Sequence, residues 1–198
     1  MVSNDSSSDS RSKVSTKIVV AGGFGAGKTT LVASVSEIPP VTTEAIMTEA
    51  SVEHDDISAT PAKATTTVAM DFGRITLDHE LIMYMFGTPG QSRFWFMWDD
   101  LVRGAVGAVV VVDSRRLADS FEAVDYFERN QRVPYIVALN RFDDQLGYSI
   151  DEIREALEIA PEIPIVDFDA RDRSSAGAVL KTLLMYALSR PTQPEPVG

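Results

Sequence analysis

Eight consecutive residues near the start of the chain have the composition of a phosphate-binding loop. They read Gly-Gly-Phe-Gly-Ala-Gly-Lys-Thr from Gly22 to Thr29 and match the pattern G-x-x-x-x-G-K-[ST]. An apolar run precedes them and a helical pattern follows, so the loop amides and the positive end of the helix converge on one hollow. The sequence therefore predicts that this loop binds phosphate groups, rather than forming a plain glycine-rich turn with a solvated lysine.

The side chains of this loop have separate expected roles. The Lys28 ammonium should reach the β- and γ-phosphates of a nucleotide, and the Thr29 hydroxyl should bind Mg²⁺. The expected nucleotide contacts here are Gly23, Phe24, Gly25, Ala26, Gly27, Lys28, Thr29 and Thr30. Lys28 is also expected to stabilise charge during phosphoryl transfer, which makes it one of two predicted catalytic residues.

A second motif follows another apolar run and reads Phe-Gly-Thr-Pro-Gly-Gln from Phe86 to Gln91. In P-loop switch proteins a glycine at such a strand end offers its amide to the γ-phosphate, and a following glutamine orients the attacking water. Gly90 and Gln91 fit these two roles. A plain Pro-Gly turn is the alternative, but the spacing behind the phosphate loop favours the catalytic interpretation, with Gln91 as the second catalytic residue.

The third motif, Asn-Arg-Phe-Asp from Asn140 to Asp143, comes directly after an apolar strand pattern. A carboxylate placed there can accept two parallel hydrogen bonds from the N1–H and the 2-amino group of guanine. Adenine offers no such pair of donors. The motif therefore predicts that Asp143 selects a guanine base.

These motifs need a scaffold, and the apolar pattern predicts one of alternating strands and helices. Strands are expected at 16–21, 66–73, 77–86, 107–113, 134–139 and 164–168, and helices at 28–36, 92–103, 117–129, 150–158 and 175–189. This alternation predicts an α/β fold with a mainly parallel sheet covered on both faces. A hairpin turn is expected at Gly73-Arg74, and the segment 38–64 is expected to be a long functional loop.

The ends of the chain and its charge set further limits. Residues 1–14 and 191–198 are expected to be a disordered arm and tail, which leaves one domain at 15–190. The net charge of −11 disfavours nucleic acid as a partner. The chain has no cysteine for a lipid anchor, and its apolar runs are too short to cross a membrane. A cytoplasmic location is expected, with recruitment to a membrane left to a partner.

Taken together, these motifs resemble those of the Ras-like small GTPases over residues 15–190. The resemblance implies a P-loop NTPase G-domain with a six-stranded, mainly parallel sheet, one antiparallel edge strand and helices on both faces. It implies GTP or GDP and Mg²⁺ as ligands. It also places the Ala170 amide at the guanine oxygen, Arg171 beside it and Arg141 over the guanine face. For Mg²⁺ it implies Thr67 as a second hydroxyl ligand, and Thr65 and Thr66 are close rivals of Thr67.

Within that family the chain is most similar to bacterial members, namely the polarity GTPases and the actinobacterial conservon nucleotide-binding proteins. This similarity implies a slowly hydrolysing regulatory switch whose partners are regulatory proteins, of the roadblock type or exchange and activating factors. Two alternatives remain open at this stage. One is a scaffold that holds nucleotide without hydrolysing it, and the other is a P-loop ATPase or kinase.

Two positions depart from the family pattern. Most small GTPases have an Asp where this chain has Gly87, so Mg²⁺ must rely on Thr29, Thr67, phosphates and water, or on another acid such as Asp71. Phe24 replaces a small residue beside the γ-phosphate, and its ring should obstruct an arginine inserted by a partner. Arg93 is a weak candidate for an arginine supplied by the chain itself.

The segment after Gln91 is unusually aromatic, with Phe-Trp-Phe-Met-Trp at 94–98. A helix this apolar on all sides is either buried or offered to a partner. Because it begins beside the predicted γ-phosphate sensor, we expect it to repack with the nucleotide state and to present aromatic side chains to an effector.

Overall fold

The computed structural model describes residues 14–39, 41–46, 67–90, 92–130, 133–142 and 147–190, and it gives the backbone alone for 41–46, 67–69, 92 and 93. The expected disordered tail at 191–198 and all but the last residue of the expected arm lie outside these ranges. Most of the expected long loop at 38–64 lies outside them as well.

The described strands form one sheet whose order is β2-β3-β4-β1-β5-β6-β7. They are β1 (Val14–Gly22), β2 (Val41–Ile46), β3 (Thr67–Asp78), β4 (Leu81–Gly87), β5 (Gly107–Asp113), β6 (Tyr135–Asn140) and β7 (Ile165–Phe168). Five neighbouring strands, β4 to β7 in sheet order, are parallel, and β3 runs against both of its neighbours. The mainly parallel α/β sheet with one antiparallel strand is therefore confirmed.

The sheet differs from the expected one at its β2 edge. Strand β2 pairs with β3 and lies within the segment that had been expected to be a loop, so the described sheet has a seventh strand and β3 is second from the edge. The prolines and weak periodicity of this segment had predicted a loop. An edge strand pairs on one side only, so a segment of this kind can still form a short strand there.

The hairpin between β3 and β4 turns at a different place from the one expected. The strands are joined at positions 79 and 80, whereas Gly73 and Arg74 lie inside β3 and pair with Met85 and Tyr84. The expectation of a turn at Gly73 was therefore wrong. A Cβ atom on Gly73 would lie 2.6 Å from the Cγ1 atom of Val32, so this glycine allows a helix to pack closely on the sheet.

Helices cover both faces of the sheet, as expected. They are α1 (Lys28–Val35), α2 (Trp98–Val102), α3 (Phe121–Arg129), α4 (Ile150–Ala156) and α5 (Arg173–Ser189). Ser92–Met97 and Ser114–Ser120 form 3₁₀ helices, so the expected helix at 92–103 is divided into two parts. Among the described residues no helix is both long and apolar enough to cross a membrane.

Alternation along β1 explains the two-sided core. Ile18 and Val20 pack in a cluster with α1 and α5, whereas Val19 and Ala21 pack in a second cluster with α2, α3 and α4. Successive side chains of a strand point to opposite faces, so a fully apolar strand supplies both clusters. This packing fixes β1 in the middle of the sheet and places the loop that follows it at the centre of one edge.

Candidate nucleotide-binding site

The loops that carry the three motifs meet at one edge of the sheet. Strands β1, β4, β6 and β7 run in the same direction, so the segments that follow them emerge at the same edge. In open α/β sheets ligands bind in the crevice outside the carboxyl ends of the strands. The sequence motifs are therefore brought together by the topology rather than by their separation along the chain.

The phosphate loop holds its lysine in a buried position. The Nζ atom of Lys28 donates hydrogen bonds to the carbonyl oxygens of Gly22 and Gly23, at 2.8 and 2.7 Å. Lys28 is only 8% exposed, and this burial lowers the pKa of its ammonium to about 8 despite the opposing effect of the Asp71 carboxylate. A buried ammonium with partners on one side is well placed to bind an anion on the other.

Asn140 connects the phosphate loop to the loop after β7. Its Nδ2 atom donates to the carbonyl oxygen of Ala26, and its Oδ1 atom accepts from the backbone N–H of Ala170, both at 3.0 Å. A Cβ atom on Gly27 would lie 2.3 Å from this Nδ2 atom, and the backbone of Gly27 has a φ of 109°. Both features require glycine at position 27. Asn140 thus positions two loops at once.

The loop after β4 lies directly over the phosphate loop. A Cβ atom on Gly90 would be 2.8 Å from the Nζ atom of Lys28 and 3.0 Å from the backbone nitrogen of Phe24. The structure therefore brings Gly90 beside Lys28 and Phe24, and its contact with a γ-phosphate stays a prediction. The ring of Phe24 is 67% exposed at the rim of the loop. Gln91 lies outside the described residues, and Arg93 is described by its backbone only.

The described residues that were predicted to bind the base already have partners within the chain. The Nε atom of Arg141 lies 3.4 Å from a carboxylate oxygen of Asp167, and the Arg171 guanidinium binds both oxygens of Asp169, at 2.9 and 2.8 Å. Hydrogen bonds from the Arg171 side chain and backbone hold the pKa of Asp169 at about 2. The Ala170 amide donates to Asn140, so its contact with a guanine oxygen stays a prediction, as do the base contacts of Arg141 and Arg171.

Asp143, which should select the base, lies outside the described residues. The residues that precede it in the motif are described. Asn140 ends β6 and is buried against the phosphate loop, and the Arg115 guanidinium covers the ring of Phe142, with 3.6 Å between its Cζ atom and the ring centroid. The role of Asp143 stays a prediction.

A carboxylate on β3 takes the space left by the glycine at the end of β4. Asp71 pairs in register with Gly87, and a Cβ atom on Gly87 would lie 2.9 Å from the Cβ atom of Asp71 and 3.0 Å from its Oδ2 atom. That Oδ2 atom accepts a 2.6 Å hydrogen bond from the hydroxyl of Thr29. The sequence had named Asp71 as an alternative acid without assigning it, and this geometry places it beside the predicted metal-binding hydroxyl.

These oxygen atoms fit a magnesium ion better than a transition metal. A hydroxyl and a carboxylate are the hard oxygen donors that Mg²⁺ prefers, and Mg²⁺ usually completes its coordination with water and substrate phosphates. Within the described ranges no group of three or more His, Cys, Asp or Glu side chains could hold a metal by itself. Thr67 is described by its backbone only, Thr65 and Thr66 lie outside the described residues, and Thr30 is exposed in the first turn of α1.

Sequence reasoning missed the turn that follows β5. Asp113 is buried at the end of this strand, and although burial alone would raise its pKa, hydrogen bonds from Arg115 hold the pKa below its usual range. Arg116 and Asp119 form an ion pair in the same turn. The sequence contained a signal for this turn. Charged residues that follow a buried strand of a parallel sheet emerge at the ligand-binding edge.

A phosphate loop at the carboxyl edge of a parallel sheet covered on both faces defines a P-loop nucleotide-binding protein. The chain belongs to the family of conserved hypothetical ATP binding proteins, whose model matches residues 20–190. It is 31% identical over 128 residues to an uncharacterized protein of Methanocaldococcus jannaschii, a match that covers 64% of this chain and 70% of the relative.

Two solved structures with the same fold are G-domains. The G domain of the T. maritima FeoB iron transporter is 18% identical and matches with a TM-score of 0.60, covering 88% of this chain and 99% of its own. The small GTPase Arl6 (BBS3) of Trypanosoma brucei, solved with the bound nucleotide analogue GppNp, is 16% identical with a TM-score of 0.63, covering 90% of this chain and all of its own. The expected G-domain fold is therefore confirmed.

Proposed function

We propose that this chain is a small GTP-binding regulatory switch that slowly hydrolyses GTP to GDP and phosphate with the aid of Mg²⁺. The observation that carries the proposal is the position of Asn140, which joins the phosphate loop to the loop after β7 through Ala26 and Ala170. This link puts the start of the Asn140–Asp143 motif beside the phosphate loop, where a guanine base attached to bound phosphates would lie.

The chemistry follows from the groups around the phosphate loop. Lys28 would bind the β- and γ-phosphates and stabilise charge that builds up during transfer, while the Gly90 amide would contact the γ-phosphate. Gln91 would hold the attacking water in line with the bond that breaks. Little covalent chemistry is asked of the protein, so positioning and electrostatic stabilisation account for its contribution.

Magnesium would be held by Thr29 and Asp71, with Thr67 as a further ligand supplied by the amino end of β3. When bound, the ion neutralises charge on the β- and γ-phosphates. The hydrogen bond between Thr29 and Asp71 supports this assignment because it aligns two oxygen donors at the phosphate end of α1. Asp71 would act directly or through a coordinated water.

Hydrolysis is expected to be slow because of Phe24. Its exposed ring stands at the rim of the loop, next to Gly90, where it would obstruct an arginine from a partner. A partner that accelerates turnover through an inserted arginine, with the acceleration lost when that arginine is changed, would refute this part of the proposal. Absent turnover would instead favour the nucleotide-holding scaffold.

The segment after Gln91 is proposed to transmit the nucleotide state. Trp98 is buried against Tyr126 and Phe127 of α3, whereas Phe96 is exposed and Trp95 is partly exposed. Phe94 is buried as well, so the segment is anchored at both ends and exposed in its middle. The partners we propose are regulatory proteins, of the roadblock type or exchange and activating factors, in a cytoplasmic setting.

An ATP-binding function is the second candidate, because the matching family is described by ATP binding. The two candidates differ at the base alone, since the phosphate loop would serve either nucleotide. Asp143 therefore decides between them. A carboxylate facing the base would attract the N1–H and 2-amino group of guanine and would repel the N1 acceptor of adenine.

The test is a titration of the purified chain with fluorescent GDP and ADP, with and without Mg²⁺, together with two variants. Asp143→Ala should lose the preference for GDP, and Asp144→Ala, which removes a neighbouring carboxylate, should keep it. An equal affinity of the wild-type chain for the two nucleotides, or a preference for ADP, would replace the GTP proposal with the ATP candidate.

A further inference from the structure

The 3₁₀ turn at Ser114–Ser120 packs directly against the phosphate loop. A Cβ atom on Gly23 would lie 2.7 Å from the backbone oxygen of Asp119 and 2.8 Å from its Cβ atom. Real Cβ atoms do not approach other atoms so closely, so Gly23 must be glycine for the turn to sit where it does. The turn therefore forms one wall of the phosphate site, although none of the three sequence motifs includes it.

One side chain of this wall carries a positive charge toward the loop. The Nη1 atom of Arg116 lies 3.9 Å from the position that a Cβ atom on Gly25 would take. The backbone of Arg116 departs from helical geometry, with φ −135° and ψ 51°, so the segment 114–120 is kinked at this residue. The guanidinium is thus held beside the exposed face of the loop.

Arg116 has an ion-pair partner that it can exchange at low cost. It pairs with Asp119, but the side chains of the two residues are 55% and 39% exposed. Exposed ion pairs contribute little free energy, whereas an arginine that binds phosphate with two parallel hydrogen bonds makes one of the stronger contacts in proteins. A bound phosphate would therefore compete successfully with Asp119 for this guanidinium.

The order of contacts along the loop indicates which phosphate Arg116 would reach. Gly90 lies over Phe24 and Lys28, at the end assigned to the γ-phosphate, and Asn140 lies over Ala26 and Gly27, toward the base. Arg116 faces Gly25, which lies between these two regions in the loop.

We propose that Arg116 turns from Asp119 to the β-phosphate of the bound nucleotide and serves as a phosphate-contacting arginine supplied by the chain itself. The inference rests on the proposed phosphate site but not on the identity of the base. In phosphoryl transfer the β-phosphate belongs to the leaving group, so a cation there would stabilise both the bound nucleotide and the developing charge. Phe24 does not obstruct this route, because Arg116 reaches the loop from the turn after β5.

The test compares nucleotides with and without a β-phosphate. Arg116→Ala should lower the affinity for the nucleoside diphosphate about tenfold or more, the scale of a lost charge-assisted contact. It should leave the affinity for the monophosphate, measured by competition, within about twofold. Arg116→Lys should retain part of the affinity. Arg129→Ala, which removes an arginine from an exposed ion pair with Asp125 on α3, is the matched control and should change neither affinity.

A second variant is expected to raise the affinity for the diphosphate rather than lower it. Asp119→Asn keeps the side-chain shape beside Gly23 but releases Arg116, so it should raise the affinity for the diphosphate. The same change in the Arg116→Ala background should raise it much less, since no guanidinium remains to be released. An equal gain in both backgrounds would show that Asp119 acts only by its own charge, and it would overturn the inference.

The remaining outcomes separate this inference from the proposed function. An Arg116→Ala variant with unchanged diphosphate affinity, or with equal losses for diphosphate and monophosphate, overturns the role of Arg116 alone. If the wild-type chain prefers ADP, the guanine proposal fails and Arg116 is tested with ADP and AMP instead. If the wild-type chain binds neither GDP nor ADP, both proposals fail.

Discussion

Asp71 and Gly87 face each other across two neighbouring strands, and the carboxylate of Asp71 lies where a side chain at position 87 would stand. The same carboxylate accepts a hydrogen bond from Thr29, the first polar side chain after the phosphate-loop lysine. The glycine that departs from the small-GTPase pattern therefore makes room for an acid from the adjacent strand. If Mg²⁺ binds as proposed, the metal-binding carboxylate has exchanged its position on β4 for one on β3.

The exchange predicts how Mg²⁺ dependence responds to substitution. Asp71→Gly should raise the Mg²⁺ concentration needed for half-maximal GTP binding by about tenfold or more, the usual scale for residues that support a metal site. Asp78→Ala should have no such effect, because Asp78 pairs with Leu81 at the other end of the hairpin. Titration of Mg²⁺ at fixed nucleotide concentration measures both.

A double variant tests whether the carboxylate can support Mg²⁺ binding from either of the two strands. Gly87→Asp alone should be harmful, since its Cβ atom would collide with that of Asp71. Asp71→Gly combined with Gly87→Asp moves the carboxylate from β3 to β4 and should recover most of the lost Mg²⁺ affinity. A double variant no better than Asp71→Gly would refute the exchange of position.

Lys28 should make nucleotide binding dependent on pH. Burial lowers its pKa from 10.5 to about 8 in the ligand-free fold, and a bound phosphate should raise the pKa again. Binding should therefore take up a proton between about pH 8 and 10.5, and affinity should fall as the pH rises through 8. Calorimetry at pH 9 in buffers of different ionisation enthalpy measures this uptake, and at pH 7 Lys28 should contribute none.

The same shift has a consequence for the stability of the ligand-free protein. Lys28 has a lower pKa in the folded chain than in the unfolded chain, so the unfolded chain binds more protons between pH 8 and 10.5. The contribution of Lys28 to the free energy of unfolding should therefore increase with pH over this window. Lys28→Met should abolish that increase, and an unchanged pH dependence in denaturant titrations would contradict the assignment.

Asn140→Ala should weaken the fold and the binding of every nucleotide. It leaves the Ala26 carbonyl and the Ala170 amide without their partner in a buried region, which should cost about 2–4 kcal/mol of unfolding free energy. Asn130→Ala, which removes a partly buried hydrogen bond to Tyr126, should cost about 1 kcal/mol or less. Denaturant unfolding gives both values. A selective loss of GDP over ADP binding in Asn140→Ala would mean that Asn140 reads the base directly.

Trp98→Ala should test how firmly the segment after Gln91 is anchored. Trp98 is 1% exposed and packs on the rings of Trp95, Tyr126 and Phe127. Its removal should lower the free energy of unfolding by about 3–5 kcal/mol. Phe96→Ala, which truncates an exposed ring of the same segment, should change it by about 0.5 kcal/mol or less. Similar effects of the two substitutions would contradict the anchoring.

Regular strand and helix patterns were predictable where one physical cause dominates. The strand at 107–113 was predicted to the residue, because a continuous apolar run that ends in an acid has few other uses in a parallel sheet. The turn at Gly73 was wrong because glycine serves either a turn or a close packing contact. Only the position of Val32 decides between these uses.

Local patterns by themselves determined the phosphate loop, the alternation of strands and helices, and the ordered set of motifs, since each depends on neighbours within a few residues. The tertiary structure decided which carboxylate stands beside Thr29, that Asn140 bridges Ala26 and Ala170, and that Arg116 faces Gly25. Asp71 lies 42 positions from Thr29, Asn140 lies 114 from Ala26 and 30 from Ala170, and Arg116 lies 91 from Gly25, counted from 25 to 116. Spacing along the chain carries no information about such contacts, because parallel strands bring distant carboxyl ends to one edge of the sheet.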